Sequence, residues 1–104
     1  MIKVTYYVGM NDKNTLKQEL AKIAFIHEFD KIFRDYTIHE AQGRFTNKLG
    51  EVTFERSLIV TTFIDECTEE ILRQHVQHNC SILKDKLNQE SILVEITKPE
   101  VMLL

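Results

Sequence analysis

Glu40, Gln42, Arg44, Glu55 and Ser57 form a polar group in the middle of a long stretch, Tyr36 to Ile64, where a sheet could have carried apolar side chains. Their chemistry is that of recognition. Arg44 offers a forked donor, Glu40 and Glu55 accept, and Gln42 does both. With Tyr7 they make a candidate binding set for a small polar ligand, and His39 and Arg56 are secondary candidates. The plainer alternative is that cross-strand polar pairs only keep a sheet face soluble, contributing a few tenths to about 1 kcal/mol each.

Catalysis needs a nucleophile, an acid or base, and a group that holds developing charge. His39, His75, Glu55, Ser57 and Tyr7 could supply parts. The pattern, however, puts His39 and Ser57 on opposite sides of the sheet, and no spacing brings Glu40 and Glu55 together tightly enough to force a carboxyl pKa upward. No catalytic residue is assigned. A small enzyme acting on a metabolite between helices and sheet remains the alternative to a non-catalytic binding module. Gly9, Gly43 and Gly50 are isolated, so there is no glycine-rich phosphate loop, and no cofactor is called for.

Charge and composition narrow the classes. The 104 residues carry 13 Lys and Arg against 16 Asp and Glu, a net charge of −3 that gives no general attraction to nucleic acid or anionic membrane. RNA binding on a sheet would further need a basic surround for its aromatics, and Glu40, Glu55 and Glu95 oppose that. The hydrophobic fraction of 43% and charged fraction of 28% are those of one globular domain spanning residues 1–104. Cys67 and Cys80 are isolated, and with His75 and His78 one helical turn apart they make a poor metal site, so none is expected. No signal peptide, lipidation signal or apolar run long enough to span a bilayer is present, which points to a reduced, cytoplasmic protein without a membrane partner.

The elements that must position these residues follow from periodicity. Ile2, Val4, Tyr6 and Val8 alternate with Lys3, Thr5 and Tyr7 as a half-buried strand, giving Tyr6 to the core and Tyr7 to the other face. Residues 11–14 make a polar turn, and Thr15 with Gln18 fits a capping box. Leu16, Leu20, Ile23, Ala24 and His27 then share one face of a helix running to about Glu28. Phe25, Ile26, Phe29, Ile32 and Phe33 exceed that stripe, so residues 25–35 either continue the helix or fold into a loop beneath the sheet. Strands from Tyr36 to Phe45 and from Glu51 to Ile64 are joined by a four-residue turn, Asn47 to Gly50. That turn sets Gln42 opposite Glu55, Glu40 opposite Ser57 and Arg44 opposite Thr53. It also sets Phe45, Phe54 and Leu58 inward, with Arg56 reaching toward Glu28 or Glu90. Tyr36, Ile38, Ile59 and Phe63 make one end of the outward face apolar.

Thr68 caps a second helix with Glu69 and Glu70 in its first turn, and Leu72, Val76, Cys80, Leu83 and Leu87 form its buried stripe. Ile92, Val94 and Ile96 announce a last strand that Pro99 closes, leaving residues 99–104 as an apolar tail. The β-α-β-β-α-β order is that of the α+β ferredoxin-like sandwich. Right-handed crossovers predict a four-stranded antiparallel sheet, order 4-1-3-2, with two helices on one face.

The chain also resembles a small bacterial family of uncharacterised ferredoxin-like proteins. The likeness is carried by Ala41-Gln42-Gly43 with Phe45, Gly50, Glu55-Arg56-Ser57 and Gln89-Glu90-Ser91, with Phe45 standing where relatives commonly have tryptophan. It implies the architecture and no activity. The apolar end of the open face and the apolar tail together predict a self-associating module, a homo-oligomer and most simply a dimer, with a small polar ligand at the open sheet face.

Overall fold

The computed structural model describes residues 1–10, 15–89 and 91–104, apart from the side chains of 15–18 and 45. The polar turn at 11–14, the Thr15 capping box, the burial of Leu16, the direction of Phe45 and a pairing of Arg56 with Glu90 therefore lie outside the described residues. The elements are β1 (Ile2–Met10), α1 (Thr15–Ile32), β2 (Thr37–Thr46), β3 (Val52–Ile64), α2 (Glu69–Lys86) and β4 (Leu93–Thr97). The sheet is antiparallel throughout, in the order β2-β3-β1-β4, which is the expected 4-1-3-2 read from the other edge. Ile2, Val4, Tyr6, Val8, Leu58 and Val60 point to one side and build the core with Phe25, Phe29, Phe33, Leu72, Leu83 and Leu87 from the helical side. Among the described residues, no helix is long and apolar enough to cross a membrane.

Helix α1 continues through residues 25–32, which decides between the two paths open for this segment. Its buried face differs from the expected one. Leu20 and Ile23 are 60% and 66% exposed, and Ala24 and His27 are exposed with them. Phe25 and Phe29 are buried instead, followed by Phe33 just beyond the helix. The physical reason is ring size: the sequence carries two apolar stripes, and the aromatic one removes more area from water per side chain. The rings also interlock. Phe33 lies 5.2 Å from Tyr6, Phe29 lies 6.4 Å from Phe25 and 6.2 Å from Phe33, and Tyr36 closes the cluster at 6.2 Å from Phe29 and 6.0 Å from Phe33. Tyr36 and Ile38, expected on the open face, consequently belong to the helical side.

The hairpin is one residue tighter than expected. Asn47 Oδ1 accepts from the backbone N–H groups of Leu49 and Glu51, both at 2.9 Å, and Asn47 N–H donates to the Glu51 carbonyl at 3.0 Å. Asn47 and Glu51 thus face each other across a three-residue loop ending in Gly50 at φ 80°, where a glycine avoids the Cβ penalty. Each residue of β2 shifts one place along β3. Gln42 is opposite Arg56, Glu40 opposite Leu58, Arg44 opposite Phe54 and Gly43 opposite Glu55. Because alternation has period two, this single residue turns β2 over while β3 keeps its expected faces. Phe54, expected to be covered, is 73% exposed.

Helix α2 matches its expected start. Thr68 is the N-cap, its side-chain oxygen accepting from the Ile71 N–H at 3.3 Å, and Glu69 and Glu70 occupy the positive end of the helix dipole. Asn88 at φ 52° ends the turn after Leu87.

Candidate functional site

The corrected register divides the predicted polar group between two sides. Tyr7, His39, Glu55 and Ser57 lie on the side without helices; Glu40, Gln42, Arg44 and Arg56 lie on the helical side. On the uncovered side, β2, β3, β1 and β4 align His39, Ile59, Tyr7 and Leu93 in one row across the sheet. The next row is Ala41, Ser57 and Gly9, with Gly43 and Glu55 beyond it. Three small residues flanked by rings on one side and a carboxylate on the other make a shallow cradle. Glu55 has no hydrogen-bond or ion-pair partner among the described residues, so its acceptor capacity is available. On the far side of the row, the Tyr7 hydroxyl donates to Glu95 Oε1 at 3.5 Å, which turns the phenol toward β4. The cradle can therefore accept hydrogen bonds or positive charge at Glu55, exchange them at Ser57 and His39, and offer a ring face at Tyr7.

On the helical side, Arg56 links three elements. One of its terminal nitrogens lies 3.4 Å from Glu19 Oε1 on α1 and 3.2 Å from Glu40 Oε2 on β2, and Glu40 Oε1 also pairs with Lys22 Nζ. Arg56 does project toward the helices as expected, where its partners include Glu19 and Glu40; Glu28 pairs with Lys31 at 3.3 Å. The Lys22 hydrogen bond, with Lys22 and Arg56 charge behind it, holds the Glu40 carboxyl below its ordinary range, and Glu40 in turn raises Lys22. Glu40 and Arg56 here tie α1 to the hairpin. Arg44 Nη1 donates to Thr46 Oγ1 at 3.4 Å near the projecting tip, and Gln42 is exposed beside it. Glu40, Gln42 and Arg44 are thus drawn away from the uncovered face, contrary to the expected single group with Glu55 and Ser57.

A buried polar chain lies between sheet and α2. Asn79, only 4% exposed, donates from Nδ2 to the hydroxyl of fully buried Tyr6 at 3.1 Å, and the same nitrogen lies 3.3 Å from His75 Nε2. Burial raises the Tyr6 phenol, with the Asn79 hydrogen bond acting in the opposite direction. The signal for this chain was Asn79 itself, a polar residue seven positions after Leu72 and four before Leu83, which puts it on the buried stripe. Cys80, expected as core, is half-buried and borders a groove with Ser81 and Lys84; burial raises its thiol and Lys84 lowers it. Tyr36 donates to Asp30 Oδ1, which pushes its phenol up to about 12.

No protein-family model matches the chain, and no curated protein is detectably similar to it. Solved structures are. A phage SAM lyase in complex with S-methyl-5'-thioadenosine is 24% identical, with a TM-score of 0.62 over 93% of this chain and 80% of the other. A phage SAM lyase in the apo state is 22% identical, with the same TM-score over 92% and 78%. CutA from Synechococcus elongatus is 15% identical, with a TM-score of 0.52 over 94% and 75%. The chain shares its α+β fold with these proteins.

Proposed function

We propose that this chain is a ferredoxin-like, self-associating module that receives a small polar ligand on the uncovered sheet face. The observation that carries the reading is the row His39, Ile59, Tyr7 and Leu93, which crosses all four strands with no helix above it. Leu93 is 68% exposed and Phe63, farther along β3, is 46% exposed. An apolar band of this kind on a small sheet loses its water contact most simply against a second copy in a two-fold dimer. A standard interface takes about 800 Å² from each partner, about a tenth of the 7740 Å² surface. The small-residue cradle would remain at the margin of such a contact, with Glu55 and Ser57 facing the ligand. The family resemblance falls on the same place, since Ala41 and Gly43, like Glu55 and Ser57, alternate onto this face.

The wild-type chain is expected to have a mass above the monomer by light scattering at tens of micromolar, whereas Leu93→Asp is expected to be monomeric with an unchanged far-UV spectrum. A charge introduced into the apolar row would have to be desolvated in the interface. A wild-type monomer at that concentration would end the self-association reading.

A second reading makes the module an enzyme and the ligand S-adenosylmethionine or a related thionucleoside. The likeness to phage SAM lyase motivates the choice of compound, and the face itself supports it. A sulfonium is a permanent cation, and the Glu55 carboxylate, two rows along the same face from Tyr7 and without a partner among the described residues, offers the charge to meet it. Incubation with S-adenosylmethionine should then release S-methyl-5'-thioadenosine, seen by chromatography, and Glu55→Gln should abolish it. Unchanged S-adenosylmethionine, with no heat of binding by calorimetry, would exclude this reading while leaving the oligomer intact.

A further inference from the structure

Away from the cradle, the C-terminal end of β3 faces the end of α1 and the exposed edge of α2 across a groove of about 440 Å³. That is the size of a small-molecule site. Phe33 forms one wall; its ring is backed by Tyr6 at 5.2 Å, so the wall is held from behind by the core. Ile32 and Ile64 extend the apolar lining. The polar lining is unevenly charged. Arg34 lies 3.8 Å from Asp35, which leaves Asp65 as a carboxylate with no hydrogen-bond or ion-pair partner among the described residues. His75 also lines the groove, its Nε2 3.3 Å from Asn79 Nδ2, and the Asn79 amide is fixed by its bond to buried Tyr6.

We propose that this groove binds a small organic ammonium ion with an apolar or aromatic body, the ammonium against Asp65 and the body along Phe33. A carboxylate without a described partner beside an apolar floor favours such a cation, because the carboxylate attracts the ammonium while the floor takes up the apolar body. An anion of the same shape meets Asp65 and is repelled.

The test is a ¹H–¹⁵N titration of the full chain at neutral pH with phenethylamine and, separately, phenylacetate, which share a ring and differ in charge. Phenethylamine at roughly millimolar concentration should shift the amides of residues 32–35, 62–65 and 75 saturably, and phenylacetate should leave them in place. Asp65→Asn should weaken phenethylamine by about ten-fold. Glu66→Gln, which alters the neighbouring carboxylate engaged with Lys98 and the N-terminus, should not weaken it. Both variants change exposed residues, and retained spectral dispersion verifies the fold. Equal response to the two probes, no saturable shift, or equal loss in both variants would overturn the proposal. None of these outcomes depends on self-association or on the cradle.

Discussion

Phe29→Ala is expected to lower unfolding stability by about 3–5 kcal/mol, while Leu20→Ala on the same helix changes it by no more than about 0.5 kcal/mol. Phe29 is 0% exposed and meets rings on three sides, Phe25, Phe33 and Tyr36. Removing it leaves a cavity that its neighbours, themselves fixed by ring contacts, can close only in part. Leu20, at 60% exposure, gives up little. For a domain of this size the first change should move the thermal midpoint by more than about 10 °C and the second by no more than about 4 °C. Urea unfolding of dilute protein checks the pair. The reverse order would mean that α1 buries its aliphatic stripe, and near-equal losses would mean that both faces are covered.

The contrast shows where periodicity stops being informative. Strand β1 could be read directly, because Ile2, Val4, Tyr6 and Val8 share one face with period two while Lys3 and Gly9 mark the other. The start of α2 could be read from Thr68 and two acidic residues. Helix α1 offers two apolar stripes with the same spacing, and choosing between them requires knowing that Tyr6 and Tyr36 bring rings to Phe33. The Tyr6 contact is long-range, so local pattern cannot contain it. The outward stripe keeps Leu20 and Ile23 exposed as a consequence.

The candidate site was half legible for a different reason. The residues of β3 fell on their expected faces because Leu58 and Val60 fix that strand against the core. Strand β2 has weaker apolar anchoring, with Glu40, Gln42 and Arg44 alternating against His39, Ala41 and Gly43, so its face follows the turn. The turn in this case depends on one side chain. By accepting two backbone N–H groups, Asn47 joins the strand pairing and leaves a three-residue loop, where composition alone suits four. Glu40 and Arg44 thereby leave the uncovered face. Glu40 then joins Lys22 and Arg56 in the ion-pair group that ties α1 to the hairpin.

Asn79→Leu is expected to cost about 1–3 kcal/mol even though it replaces an amide with an apolar side chain of similar size in a largely apolar setting. The loss comes from Tyr6. Its hydroxyl is at 0% exposure and receives the Asn79 Nδ2–H; without that partner, and with no access to water, it keeps its desolvation cost uncompensated. Tyr6→Phe should cost less, because Asn79 retains its contact with His75, whose exposed ring admits water. Combining Tyr6→Phe with Asn79→Leu removes both partners together, and two apolar groups in contact leave nothing unsatisfied. The double variant should therefore be more stable than Asn79→Leu alone, with a coupling of about 1–2 kcal/mol in the cycle. Strict additivity would show that Tyr6 and Asn79 do not act as a pair. Recovery in the double variant would locate the energetic role of Asn79 at the Tyr6 hydroxyl, leaving the orientation of His75 at the groove as the feature that an apolar replacement cannot reproduce.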